Sequence, residues 1–234
     1  DPRDPFHVPL PWRGAPLDGP IRVGFTKETY DFELHPEVSL ALDAARDALT
    51  EAGYQVEEVA TPSAREAGLA GYRALMGEVQ ALMGPDIETY GSATIQAIFA
   101  EYFAQFPPYE GDALLRMMAE RTRFARDWSL FLDRYPLVLT PFLPQPFFGP
   151  DRDTEGAEGV REALGSALWS YAMNFMGLPA GSVPARLAEL PKGPQPINVQ
   201  IVGRRWREDL VVDACIAIEA RLGRMCDALW ERMG

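Results

Sequence analysis

Hydrolysis at a carbonyl carbon needs a nucleophile with a base in reach of it, and this 234-residue chain is sparing with both. Seven serines occur, at positions 39, 63, 92, 129, 166, 170 and 182. None adjoins another serine or sits in a glycine-rich nucleophile elbow. Ser182, preceded by Gly181, comes nearest, and a turn or strand serine accounts for it as well. The histidines, His7 and His35, fall in an arm and at a helix start, so no local spacing supports a serine-histidine triad. Lys27 and Lys192 are the two lysines, which narrows the search for a lysine base. No His-Cys cluster has metal-ligand spacing, and carboxylates such as Asp43 and Asp47 read as a solvated helix face. The turn after Ile-Arg-Val-Gly-Phe25 lacks the spaced glycines of a dinucleotide fingerprint, and no Walker loop occurs. Neither a metal nor a cofactor is expected.

Composition bounds the partners. Thirty-four acidic residues against 22 basic ones give a formal charge of −12, which repels nucleic acid and anionic lipid. With 47% apolar and 24% charged residues, the chain can bury one sizeable core, so a single domain over residues 1–234 is expected. No apolar run approaches the roughly 20 residues of a membrane helix. The opening Asp-Pro-Arg-Asp-Pro has neither the basic start nor the apolar core of a signal peptide, so a soluble protein is expected. Cys215 and Cys226, eleven apart on what reads as one helix, would lie roughly 16 Å apart by helical rise and cannot pair with each other. As buried thiols they fit a reducing compartment, and the cytoplasm is the expected location. An intermolecular bridge stays open.

The elements that must position any site follow from periodicity. Residues 1–20 hold Pro2, Pro5, Pro9, Pro11, Pro16 and Pro20, a density that predicts an extended linker arm strapped over a surface. Residues 21–62 read as a β-α-β unit: IRVGFTKE as a strand, a helix opened by His35-Pro36 with Val38, Leu42, Ala45, Leu49 and Ala52 buried, a stop at Gly53, and YQVEEVATP as a second strand. Residues 63–135 read as helical, with one segment to Met83, one near 95–103 and one from 111 to 135. The aromatics collected there read mainly as core. Within 136–234, LVLTPF is a buried strand leading into the stiff loop LPQPFFGP, a natural ligand-binding wall. A helix over 155–174, a short strand near GSVPA, the strand PINVQIVG and a closing helix over 207–233 complete an α/β fold, a mixed β-sheet flanked by α-helices.

The stretch NFMGLPAGSVPA followed by GPQPINVQIVGRRWREDLVVDACIAIE resembles the closing signature of the amidase-signature family. The opening DPRDP resembles the linker after that family's catalytic core, IRVGFTKE through VEEVATP its later β-α-β unit, and LVLTPF its buried strand with a Thr-Pro pair. The resemblance implies the C-terminal part of the amidase-signature fold, and hydrolysis of a carboxamide to an acid and ammonia or an amine. It implies a serine nucleophile, a second serine in a cis peptide and a lysine, all upstream of the linker. Lys27 and Lys192 match other elements, so no catalytic residue is carried over. The resemblance leaves this chain part of a substrate wall: Thr140, Pro141 and Phe142 at a strand end, and Asn174 and Phe175 before the Gly-Leu-Pro turn. A strand-end turn and core packing are the structural alternatives for these five. Asn198 and Gln200, on one side of their strand, are expected to bond backbone, and Arg204-Arg205-Trp206-Arg207 to form a cationic corner with a packing Trp.

The resemblance implies as partners a small-molecule amide and the N-terminal half of an amidase, in the same or a separate chain. The oligomeric state is open, a homo-oligomer included. Alternatives are a non-catalytic binding or scaffold module derived from the amidase fold, and an unrelated α/β enzyme using serine and histidine. A long unpaired sheet edge favours the half-enzyme, since its N–H and C=O groups need a partner. A closed sheet favours the module, and a histidine bonded to a serine favours the third.

Overall fold

Pro36 at the first turn and Gly53 past the last bracket an amphipathic helix, and the chain around it closes as that pattern demands. In the computed structural model of the protein, which describes residue 3, residues 7–191 and residues 193–233, strand β1 (Arg22–Phe25) leads into helix α1 (Pro36–Glu51). Strand β2 (Gln55–Glu58) returns parallel to β1. The His35 ring caps α1, its Nδ1 accepting the Glu37 N–H at 3.1 Å, and Gly53 turns the chain at φ 93°. Lys192 and most of the opening Asp-Pro-Arg-Asp-Pro lie outside the described residues.

Helix α2 (Ala64–Tyr90) does not stop at Met83 but runs on through Pro85. Its last carbonyls find a donor in Gln96, whose Nε2 lies 3.3, 3.0 and 3.1 Å from the oxygens of Ile87, Glu88 and Gly91. That donor sits on α3 (Ala93–Gln105), which Ser92 caps at Ile95 N. Helix α4 (Asp112–Arg134) follows, and then strand β3 (Leu137–Pro141), buried at all five positions. The helix expected over 155–174 is two, α5 (Gly156–Ala163) and α6 (Leu168–Met176), with a 3-10 turn between. The Leu164 carbonyl accepts from the Tyr72 hydroxyl and from Ala167 N, which draws it into the tighter turn.

The strand near GSVPA is longer than expected. Strands β4 (Ala180–Leu190) and β5 (Gly193–Gly203) form an antiparallel hairpin, with a register shift after Pro184, which has no N–H to give the ladder. Pro194 and Pro196 precede the Pro141–Val199 pairing that ends the β3 ladder, so they occupy the stretch of β5 that β3 does not reach. The closing helix is also two, α7 (Glu208–Leu222) and α8 (Met225–Met233), parted where Gly223 takes φ 81°. The two cysteines therefore sit on different helices. Cys215 is partly buried, and burial pushes its thiol up to about 11; Cys226 is exposed, against the expectation of two buried thiols.

The sheet order is β2-β1-β3-β5-β4, parallel through β3 and antiparallel beyond it. Leu137, Leu139, Val199 and Ile201 share a core with α1 and α7, while Val138 and Val202 pack on the opposite side with Trp128, Met173 and Met176. Among the described residues β4 is an open edge of eleven residues. The arm docks on α7 through Arg13, which pairs with Asp213 at 2.7 and 3.0 Å, and through Gly14 N, which donates to Asp209 at 3.1 Å. No described helix is long and apolar enough to cross a membrane.

Two stability predictions follow from these contacts. Arg207 holds the Asp209 carboxyl below its ordinary 3.8, the Gly14 N–H adds to this, and burial opposes it. A depressed folded-state value means stabilisation present above the unfolded value and lost as pH falls through the folded one. Asp209→Asn should lower stability at pH 7 by about 3 kcal/mol and flatten its acid dependence. Melts of both proteins from neutral to acid pH check this, and parallel curves would discount the pair. A Cβ added at Gly71 would sit 2.9 Å from Phe175 Cβ, whereas one at Gly77 would meet Pro108 only at 3.6 Å. Gly71→Ala should therefore cost about 1–3 kcal/mol in urea unfolding, and Gly77→Ala should be neutral or stabilising by about 0.5–1 kcal/mol. Equal midpoints for the two variants would remove the close helix contact from the account.

Candidate functional site

The buried start of α2 is built from small residues, Ala64, Ala67, Gly68, Ala70 and Gly71, and that composition lets a second helix come close. A Cβ at Gly68 would lie 2.7 Å from Leu168 Cγ and 2.9 Å from the Leu168 oxygen, so α6 rests almost on the α2 backbone. Beyond Gly71 the side chains lengthen and the helices leave a groove of about 600 Å³ between them. Leu75 and Glu78 line it from α2, and Ser170, Tyr171, Asn174 and Phe175 from α6. Tyr72 lies beneath, its ring 3.8 Å from that of Tyr171 and 4.6 Å from that of Phe106. Burial pushes the Tyr171 phenol up to about 12 and raises that of Tyr72 further.

Two of the α6 residues in this groove are held in place by their neighbours. Asn174 Nδ2 donates to the Ser170 carbonyl at 3.0 Å, leaving its carbonyl oxygen free to accept. The Arg121 guanidinium donates to the Phe175 carbonyl and lies 5.7 Å from its ring centre. Gly177, at φ 68°, ends α6, with its N–H on Asn174 and that of Leu178 on Met173. The arrangement offers an apolar, aromatic floor with hydrogen-bond acceptors at its margin.

A second cleft forms where the loop after β3 crosses the start of β5. Phe142 lines a cavity of about 160 Å³ with Val38, Ile197 and Asn198. Gln145, Pro146 and Phe147 belong to that cavity and also to a neighbour of about 610 Å³, reaching His35, Arg152 and Gln195. Thr140 and Pro141 line neither cavity. Thr140 is fully buried; its hydroxyl donates to the Pro141 carbonyl at 3.1 Å and accepts from Gln200 Nε2 at 3.3 Å. The expected wall residues thus divide: Asn174 and Phe175 share the α2–α6 groove, and Phe142 faces a different cleft. Tyr171 and Glu78 were not expected there, and only the run of small residues on α2 signals the close helix pair that frames them.

The remaining polar expectations resolve as follows. Asn198 donates to the Ser182 hydroxyl at 3.1 Å, and Gln200 to Thr140, so both amides bond side chains rather than backbone. Arg204 pairs with Asp133, Arg205 with the Met176 carbonyl and Arg207 with Asp209, which is the structural corner expected. Trp206 does not pack there; it is 48% exposed. Among the described residues no serine hydroxyl bonds to a histidine. Lys27 Nζ donates to Ser39 Oγ at 2.9 Å, but also to Asp43 at 2.8 Å, the geometry of an ion pair rather than of a base taking the serine proton. Ser166 Oγ is buried without a partner. No group of three or more His, Cys, Asp or Glu that could hold a metal occurs among the described residues.

Comparison with known proteins agrees with this architecture. The chain is similar to the indoleacetamide hydrolase of Bradyrhizobium diazoefficiens, 35% identical over 234 residues, which is 100% of this chain and 44% of the relative. It is similar to that of Bradyrhizobium japonicum, 33% identical over 234 residues, 100% of this chain and 50% of the relative. The chain thus spans about half the length of the relatives it matches. It shares a fold with 6-aminohexanoate cyclic dimer hydrolase complexed with substrate, at a TM-score of 0.70 and 22% identity, covering 97% of this chain and 51% of that one. The Amidase family model matches residues 2–212, and the chain belongs to the amidase family.

Proposed function

We propose that this chain supplies the substrate-side part of an amide hydrolase, which converts a small carboxamide to an acid and ammonia or an amine. The α2–α6 groove carries this reading: in a member of the amidase family it is an aromatic-floored recess large enough for a small acyl group. Asn174 and Phe175 form its wall, and Phe142 borders the neighbouring cleft. Thr140 and Pro141 act from behind, as the buried stem that sets Phe142. An arylacetamide is the proposed substrate class, after the indoleacetamide hydrolases to which the chain is similar over its whole length.

The nucleophile is proposed to come from outside these residues, as a serine, a second serine in a cis peptide and a lysine. Serine attack on the amide carbon, with backbone N–H groups holding the oxyanion, would expel the amine, and water would then release the acid. The engaged Lys27 and the scattered serines support this division, as does the open β4 edge, whose unpaired backbone groups suit a partner segment. That edge favours a half-enzyme over a self-contained scaffold module.

Labelling with a serine-reactive fluorophosphonate, beside hydrolysis of an amide panel, tests the division. The chain should take no label and turn nothing over. With the N-terminal half supplied, label should appear on that half together with turnover. A stoichiometric label on one of the seven serines here would overturn it. In the completed enzyme Phe175→Ala should lower kcat/KM for an arylacetamide by about 10–100-fold, the worth of about 1.5–3 kcal/mol of lost ring burial. An unchanged kcat/KM would place the acyl group elsewhere.

A further inference from the structure

Glu78 is the one charged residue that lines the α2–α6 groove, and among the described residues it has no ion pair or hydrogen bond. Other α2 carboxylates, Glu66, Asp86 and Glu88, are also without a side-chain partner, but none of them lines the groove, so it is position that sets Glu78 apart. The polar atoms around Glu78 are neutral, the hydroxyls of Ser170 and Tyr171 able to donate or accept, so the carboxylate is the charge that decides the character of the recess. Asn174 commits its Nδ2 to the Ser170 carbonyl and presents an acceptor oxygen, and the Ser170 hydroxyl can accept as well. Leu75, Tyr171 and Phe175 supply flat apolar surface next to them. An aromatic floor beside an unpaired carboxylate complements a ring that carries a donor, a cation most of all, and it opposes a ring that carries an anion.

We infer that the α2–α6 groove selects an aromatic group bearing an N–H donor, an ammonium most strongly, and that Glu78 is the residue that sets this preference. The inference rests on the reading of the groove as the place where the substrate's acyl group binds, and it names the chemical class of that group. Glu78 is exposed, so its effect is that of a screened surface charge: a several-fold preference that fades with salt. Arg121, behind Phe175, is the nearest competing charge described on that wall, and it works in the opposite sense. Removing the Glu78 charge should therefore flatten the preference rather than merely reduce it.

Three probes that share a ring and differ in charge separate the contributions: 2-phenylethylamine, 2-phenylethanol and phenylacetate. Their dissociation constants for the chain can be read by saturation-transfer NMR at low ionic strength. The amine should bind about five-fold or more tighter than the carboxylate, with the alcohol between them. Glu78→Gln, a conservative change at an exposed site, should bring the three within about two-fold of one another, and 0.5 M salt should do the same to the native chain. The net charge of −12 is almost unaltered in the variant, so an amine preference that survives Glu78→Gln would belong to the whole protein and would overturn the assignment. Equal binding of all three to the native chain, or no binding, would overturn it as well. None of these readouts uses turnover, so failure of the hydrolase reading, seen as no hydrolysis by the completed enzyme, is distinguished from failure of this one.

Discussion

Both halves of the fold hang on the hydrogen bonding of β3. It takes a parallel neighbour on one side and an antiparallel one on the other, so five buried residues couple the β1-α1-β2 unit to the β4–β5 hairpin. Alternation along this one strand assigns the layers: Leu137 and Leu139 turn to α1 and α7, Val138 to α4 and α6. Thr140 shares the face of Val138 and is fully buried, so its hydroxyl must find partners inside the sheet. It receives Gln200 across the ladder, and that bond pins the register at the point where the strand gives way to the loop.

Those parts of the fold governed by local period were legible in the sequence. The strand-helix-strand unit, the buried β3 and the buried face of α1 follow from apolar spacing with Pro and Gly as punctuation, and the structure has them in place, save that Ala52, expected buried, caps the helix end half-exposed. What the sequence did not disclose were boundaries set by distant partners. The break between α5 and α6 depends on Tyr72, 92 positions before the carbonyl it takes. The stop of α2 after Pro85 is marked by Gln96, whose side chain reaches back to the carbonyls of Ile87, Glu88 and Gly91. The length of β4 depends on the whole of β5 being available to pair with it. The Tyr72 bond is the clearest of these, a tertiary contact across 92 positions that no window of neighbouring residues contains.

The site was legible to a lesser degree, for a related reason. Asn174 and Phe175 stand out because they precede a glycine that must take a left-handed turn, and the resemblance of that segment directs attention to them. Thr140 stands out in the same way, yet it is spent inside the sheet. The residues that give the groove its width are Gly68 and Gly71, which offer no chemistry and attract no notice when nucleophiles and bases are sought. Glu78, seven residues after Gly71, is an ordinary surface carboxylate by sequence; only the arrival of α6 gives it a cavity to face.

The same contact therefore serves stability and shapes the recess. Where α2 and α6 touch, at Gly68 and Gly71, they bury Leu168, Tyr72 and Met76; where they part, the recess opens. A wider spacing at Gly71 would enlarge the recess but uncover Tyr72, whose hydroxyl holds the turn from which α6 starts. A narrower spacing is already forbidden, since the backbone of one helix lies against side chains of the other with no Cβ between. The width of the recess is thus bounded on one side by sterics and on the other by the exposure of a buried aromatic ring, and on the proposed reading a change in substrate size falls to the lining positions past Gly71, Leu75 on one helix and Tyr171 and Phe175 on the other.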